Sequence, residues 1–173
     1  MRPTDHRRRE RGTQVLELAL VLPLLVFLVF VVIEGAAAVR LQQVINNAAR
    51  EAAHLASLEQ MAYYPPDTPD ANKIAAIEAA ATTYACNNGV LLQDSGGATT
   101  CPVATRTTCS STNINVNQNV SMGTIPETGA QIDGSEVDIT CNYKFMFVPN
   151  LPYVNYSTSQ ITLGGTAKFR NQY

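Results

Sequence analysis

An unbroken run of apolar residues, Leu18–Ile33, is the strongest hydrophobic feature of the chain. Leu and Ala are abundant over a longer range, from Thr13 to about Ala62, and this predicts one long helix. The flanking segments Thr13–Leu16 and Gly35–Val39 extend the run to the ~20 apolar residues that a membrane-spanning helix needs. We therefore expect residues 13–39 to form a transmembrane helix.

Three residues interrupt the apolar character of this helix. Pro23 removes one backbone hydrogen bond and is expected to kink the helix, although a membrane helix tolerates the loss when neighbouring helices re-satisfy the carbonyl. Glu17 and Glu34 are its charged residues, one near either end. A carboxylate costs roughly 2.5–3.5 kcal/mol at the membrane centre and less near an interface. Glu17 therefore reaches water at the interface, is protonated, or is paired with an opposite charge.

Beyond Arg40 the helix pattern becomes amphipathic. Apolar residues recur at helical spacing, which predicts one buried face made of Val44, Ile45, Ala48, Ala49, Ala52, Leu55, Ala56 and Met61. Polar residues occupy the opposite side, namely Gln43, Arg50, Glu51 and Glu59. Residues 40–62 are thus expected to continue the stem with one face against a folded domain.

A second, shorter helix follows a clear break. Tyr63–Pro69 holds three prolines and cannot continue a helix. Asp70 is expected to cap a helix that runs to about Cys86 and ends at Asn88-Gly89. Its predicted inner face consists of Ile74, Ile77, Ala81 and Tyr84. The Gly/Thr/Ser-rich segment from Gln93 to Ser111 is predicted to be a loop.

Three segments alternate apolar and polar residues and are predicted to be strands: Asn113–Val120, Glu136–Phe147 and Gln160–Arg170. In the second, the inward face is Val137, Ile139, Cys141, Tyr143, Phe145 and Phe147; in the third it is Ile161, Leu163, Ala167 and Phe169. Gly164-Gly165 indicates a bulge or a close backbone approach. The predicted class is α+β, with the stem helix covering the dry side of a small antiparallel sheet.

The charges of the chain are few and unevenly placed. Lys and Arg number 12 against 14 Asp and Glu, so the balance does not indicate a nucleic-acid partner. Five arginines and two acidic residues precede the apolar run: Arg2, Arg7, Arg8, Arg9, Arg11, Asp5 and Glu10. A short basic segment beside a spanning helix stays in the cytoplasm. Residues 1–12 are expected to be an unstructured cytoplasmic leader, and residues 63–173 an extracytoplasmic head.

All four cysteines, Cys86, Cys101, Cys109 and Cys141, fall in this expected external part. An even number in an oxidising compartment favours two disulfides over a zinc site, since no Cys-x-x-Cys occurs and both histidines are distant. Three pairings are possible. The preferred one joins Cys101 to Cys109 and Cys86 to Cys141.

The sequence carries no recognisable active site. It has no phosphate-binding loop, no metal-spaced histidine pair and no Ser/His/Asp set. His54 lies among alanines, as a structural histidine does, and Asp67 and Asp70 suit a turn and a helix cap. Catalysis, a metal and a cofactor are not expected.

The residues alone leave two functions open. Ala36-Ala37-Ala38 offers an Ala-x-Ala-like site where signal peptidase would release an exported soluble domain. Alternatively, the chain keeps its leader and is a single-span anchored binding protein. The apolar run is longer than a typical signal core and the helical pattern continues past Ala38, which favours a retained helix.

The chain resembles a type IV pilin-class precursor in its basic leader, Gly12, Glu17 five residues later, and the run Leu18–Leu25. Within that class it is similar to the TadE family of pseudopilins from tight-adherence (Flp) pilus systems. The similarity continues through Ile33-Glu34-Gly35 and Asn47–Ala53, and it covers residues 7 to about 57. Leu18 departs from the aromatic residue that often follows the glutamate in this family.

The resemblance implies a pilin-like fold and cleavage after Gly12 by a prepilin peptidase, with Thr13 as the new N-terminus. A glutamate at the position of Glu17 implies pairing with the terminal amine of a neighbouring subunit. The implied location is the inner membrane, crossed once, with the head periplasmic or extracellular and the subunit incorporated in the pilus. The implied partners are the peptidase, other pilin or pseudopilin subunits and the assembly machinery, and the implied role is pilus assembly and adhesion.

Overall fold

The structure is a computed structural model that describes residues 6–58, 71–92, 101, 107–145 and 160–171, with the backbone alone for residues 6–13 and 119. Its elements are α1 (His6–Ser57), α2 (Ala71–Asn87), β1 (Val90–Leu91), β2 (Thr107–Thr124), β3 (Gln131–Lys144) and β4 (Gln160–Arg170). This confirms the α+β class. The chain divides into two compact units, Met1–Ala37 and Ala38–Tyr173. The four segments expected from the sequence stay a prediction.

The long helix α1 differs from the predicted one at both ends. It begins at His6, so residues 6–12 are helical and not irregular as expected. Extension of an existing helix needs no new nucleus, and the Arg and Glu residues there favour helix. At the other end α1 stops at Ser57 instead of near Ala62. The Leu58 N–H donates there to the Leu55 carbonyl at 3.2 Å, which tightens the last turn.

The second half of α1 buries one stripe of side chains, as the periodicity predicted. Five of these residues are alanines with no exposed surface, and the buried apolar residues are Leu41, Val44, Ile45, Ala48, Ala49, Ala52, Ala53 and Ala56. Leu55 is only half-buried, and Met61 and Glu59 lie outside the described residues. Gln43, Arg50 and Glu51 are exposed on the opposite side. The stripe joins the core formed by α2 and the sheet.

The helix α2 packs as predicted. Ile77 and Ala81 are fully buried, whereas Ile74 and Tyr84 are half-buried. The helix ends at Asn87, and Gly89 follows with φ of 75°, its N–H donating to the Cys86 carbonyl at 2.9 Å. Glycine accepts this left-handed conformation without the steric cost of a Cβ. The predicted cap Asp70 and the break Tyr63–Pro69 lie outside the described residues.

The described strands form one sheet in the order β1-β2-β3-β4. The pairs β2–β3 and β3–β4 are antiparallel, as predicted. The two-residue strand β1 pairs with the start of β2 in parallel and was not predicted. The strand β2 begins at Thr107, within the segment predicted to be a loop, and continues to Thr124, past the predicted end. Three register shifts along β2 break its alternation, which explains why only its middle was recognisable.

The faces of β3 and β4 match the prediction where the structure describes them. Val137, Ile139, Cys141 and Tyr143 are buried, and Phe145 packs against the same core. Phe147 lies outside the described residues. On β4, Ala167 is buried and Ile161, Leu163 and Phe169 are half-buried against the core.

The predicted disulfide pairing is wrong. Cys86 is bonded to Cys101, and Cys109 to Cys141. Because β2 starts at Thr107, Cys109 is a fully buried strand residue on the inner face, and its Cα lies 5.5 Å from that of Cys141 on β3. The sequence pattern predicted a loop at Cys109, whereas its position on β2 brings it beside Cys141.

Gly165 marks the closest approach of α1 to the sheet. The pairing of β3 with β4 has no register shift, so Gly164-Gly165 is not a bulge. A Cβ on the buried Gly165 would lie 2.8 Å from Asn46 Oδ1 and 3.1 Å from the Asn46 Cα. Beside it, the Gln42 side-chain amide donates to the Gly164 carbonyl. The close approach predicted from the glycine pair is confirmed.

A buried polar cluster fixes the last turn of α1 to the sheet. The Ser135 hydroxyl, on β3, lies 3.1 Å from the Ala56 carbonyl and 2.7 Å from Asn171 Oδ1. The Asn171 amide in turn donates to the Gln118 carbonyl of β2 at 3.2 Å. One hydroxyl hydrogen serves one acceptor at a time, so Ser135 is shared between the helix end and the end of the sheet.

We expect Gly165→Ala to destabilise the fold by about 1–3 kcal/mol, because the α1 backbone at Asn46 cannot move aside as a flexible side chain can. Gly164→Ala is the matched control, since the nearest atom to its Cβ is the Ile139 carbonyl oxygen at 3.9 Å. Denaturant unfolding of both variants in detergent, with disulfides intact, measures the difference. Equal stability of the two variants would contradict the close contact.

We expect Ser135→Ala to cost about 1–3 kcal/mol, because buried acceptors lose their only shared donor. The exposed Ser111, which accepts from the Asn142 amide at 2.7 Å, provides the control. Ser111→Ala should change the free energy of unfolding by less than about 0.5 kcal/mol. Thermal unfolding followed by circular dichroism compares the two, and a loss no larger for Ser135→Ala would rule out the anchoring role.

Candidate assembly site on the N-terminal helix

The first half of α1 presents an apolar surface on every side. All side chains from Gln14 to Ile33 are exposed, and the large apolar ones among them are 40–76% exposed. A helix that is hydrophobic all round is stable only within lipid or among other helices. The surface that defines this site is therefore the whole circumference of residues 14–33, here called the apolar stem.

The apolar stem has the length of a membrane span. Twenty residues rise about 30 Å along a helix, which equals the hydrocarbon thickness of a bilayer. Within the part of the chain that the structure describes, α1 alone is long and apolar enough to cross a membrane. This agrees with a protein that crosses the membrane once.

Glu17 is the charged residue of the apolar stem. Its side chain is exposed, one turn into the segment that begins at Gln14. Gln14 precedes it by three residues and thus shares its helix face, so the two form a small polar spot in an apolar surface. Because no neighbouring side chain of α1 buries the Glu17 carboxylate, the lipid or the helices around the apolar stem set its environment.

The proposed processing residues lie on the same helix. The backbone of Gly12 and Thr13 is helical, and the structure describes no side chain there. Pro23 lies within α1, where it cannot donate to the Ala19 carbonyl one turn earlier. The expected kink at Pro23 stays a prediction.

The structure separates the two glutamates that the sequence treated alike. Glu34 is 6% exposed, whereas Glu17 is exposed. Sequence reasoning also missed the polar side chains that join the second half of α1 to the sheet: Gln42, Asn46, Ser135 and Asn171. The glycine pair on β4 was the available signal for the first two. The serine and asparagine gave none, because a buried polar residue resembles an exposed one in sequence.

No group of three or more His, Cys, Asp or Glu residues that could hold a metal ion occurs in the described ranges. The four cysteines are all in disulfides. His54 is exposed and makes an edge contact with the Phe169 ring at a centroid distance of 5.7 Å, which is a packing role. Asp67 and Asp70 lie outside the described residues.

An exposed apolar helix followed by a disulfide-bonded α+β unit indicates a membrane-associated protein whose helix needs lipid or other helices around it. Residues 12–54 match the family model described as TadE-like protein. This match confirms the resemblance seen in the sequence over these residues and agrees with a Tad pilus-associated subunit. No curated protein and no solved structure matches the chain.

Proposed function

We propose that this chain is a pseudopilin of a tight-adherence pilus, cleaved after Gly12 by a prepilin peptidase and active in pilus assembly and adhesion. The observation that carries the proposal is the apolar stem, exposed on every side, with one carboxylate, Glu17, near its start. In the membrane, lipid covers this stem. In the pilus, the stems of neighbouring subunits cover it.

The orientation follows from charge and redox chemistry. The arginines before Gly12 hold the N-terminus in the cytoplasm, since such clusters resist translocation. The head then lies outside, in an oxidising compartment, which is where disulfides form and persist. The two disulfides of the second unit support this placement.

Cleavage after Gly12 creates the partner that Glu17 needs. A free α-amine has a pKa of about 7.7–8 and is mostly charged at neutral pH. Opposite charges about 4 Å apart attract by ~4 kcal/mol at an effective dielectric of 20, which offsets much of the cost of placing a carboxylate in the stem. The amine of a neighbouring subunit meets Glu17 only at one axial stagger, so the pair sets register as well as affinity.

The amine of the same chain competes for Glu17 before assembly. Thr13 and Glu17 are four residues apart, which places them on one helix face with an axial separation of about 6 Å. An isolated subunit in the membrane can therefore hold its own charge pair. Assembly replaces this pair within one chain by a pair between subunits. The net gain in free energy is therefore smaller than the full energy of one charge pair, and it depends on how much better the geometry is between subunits.

N-terminal sequencing of the mature protein should give a chain that starts at Thr13. Gly12→Val should block processing, because the peptidase site must admit a side chain in place of a hydrogen. Gly35→Val is the matched control on the same helix, where a Cβ meets no atom within 4 Å. This variant should be cleaved normally.

Three outcomes would contradict the processing step. Full cleavage of Gly12→Val would discredit the site. A mature chain starting near Val39 would show an ordinary signal peptide and an exported soluble domain. A chain that retains Met1 or Arg2 would show an anchored protein that keeps its leader.

Glu17→Ala should insert into the membrane at least as well as the native chain, because the substitution removes a charge from the stem. It should also be cleaved after Gly12, yet fail to enter the sheared pilus fraction. Glu51→Ala provides the control, since Glu51 is exposed on α1 beyond the stem. Immunoblots of membrane and pilus fractions measure both steps, and native incorporation of Glu17→Ala would refute the charge-pairing role.

A further inference from the structure

The two disulfides close loops that do not overlap in sequence. Cys86 and Cys101 are 15 residues apart, and Cys109 and Cys141 are 32 apart. The first loop runs from the last turn of α2, and the second is the β2–β3 hairpin. Each bond therefore links the next two cysteines along the chain, in the order 86, 101, 109, 141.

Burial limits when these bonds can form. Cys109 and Cys141 have no exposed surface in the folded chain, and Cys86 is 3% exposed. Disulfide formation proceeds through attack of a thiolate on an accessible sulfur of a mixed disulfide. Oxidation therefore precedes closure of the core by α1, α2 and the sheet, when the fold itself does not yet hold the correct cysteines together.

Chain entropy alone does not select the native pairs. Cys101 and Cys109 are only eight residues apart in sequence. The probability of loop closure falls with the three-halves power of loop length. Closure of this short loop is therefore favoured about threefold over closure of the loop between Cys86 and Cys101. If all four thiols competed at once, the non-native pair Cys101–Cys109 would form first.

We propose that the order of export sets the pairing, through a thiol–disulfide oxidase that acts on the head as it emerges; this rests on the orientation given under the proposed function. The oxidase disulfide reacts with the Cys86 thiolate to give a mixed disulfide and one oxidase thiol. The Cys101 thiolate then attacks the Cys86 sulfur, forms the native bond and releases the second oxidase thiol. The same two steps join Cys109 to Cys141, so no disulfide isomerase is required.

The timing permits this sequence. A chain elongates at ~5–20 residues per second, so Cys101 is outside for roughly a second before Cys109 follows. Closing a ten-residue loop takes about 10–100 ns, so contact between Cys86 and Cys101 is not limiting in that interval. Because the chain emerges from its N-terminal side, Cys86 and Cys101 are joined before Cys109 can compete for Cys101.

The variant Cys101→Ser separates this order-driven pairing from pairing directed by the fold. During export Cys86 should then be joined to Cys109, the next cysteine to emerge, and leave Cys141 as a free thiol. Fold-directed pairing would instead give Cys109–Cys141 and leave Cys86 free. Pulse labelling of the full chain in cells, an acid quench, alkylation of free thiols and non-reducing peptide mapping distinguish these species at early times.

Cys141→Ser is the matched control, because both routes give Cys86–Cys101 and a free Cys109. A predominance of Cys109–Cys141 in Cys101→Ser at the earliest times would overturn the proposal. So would a native chain whose pairs form only when a disulfide isomerase is present. Four reduced thiols in the native chain would instead contradict the external placement of the head, and thus the proposed function.

Discussion

One helix must satisfy two different surroundings, and the rest of the structure depends on this constraint. Over residues 14–33 α1 is apolar on every side and exposed, so its stability requires lipid or other stems. From Leu41 onward the same helix is apolar on one side only and is covered by the sheet. The change in pattern, and not a break in the backbone, separates the exposed part of the helix from the part that joins the core.

The sequence predicted those features that arise from periodicity and missed those that depend on tertiary position. The alternation of Val137, Ile139 and Cys141 fixed the inner face of β3, and the three- and four-residue spacing fixed the buried stripe of α1. The ends of β2 were missed, because Ser and Thr are compatible with loops and bulges shift the alternation. The missed start at Thr107 also concealed that Cys109 lies on the inner face of β2 beside Cys141. Within the candidate site, Glu17 was identified from the sequence. The exposure of the apolar stem around it became visible only in the structure.

Polar contacts fasten the stem to the sheet at both ends of its buried stripe. Near the start, Gln42 donates to the Gly164 carbonyl where Gly165 admits the helix backbone. Near the end, Ser135 reaches the Ala56 carbonyl, one of the last carbonyls of α1 and thus without a partner inside the helix. Apolar packing alone would let a smooth alanine stripe slide along a sheet. Directional bonds at two points fix its axial position on the sheet.

The small side chains of this interface limit the apolar area that the core buries. Five alanines on α1 allow the backbone to approach the sheet closely, but each buries far less apolar area than a leucine or isoleucine would. Loops of 15 and 32 residues, closed by disulfides, contribute about 3–4 kcal/mol each in the chain-entropy description. The cross-links therefore add stability to a core whose shape is set by the close approach of α1 to the sheet.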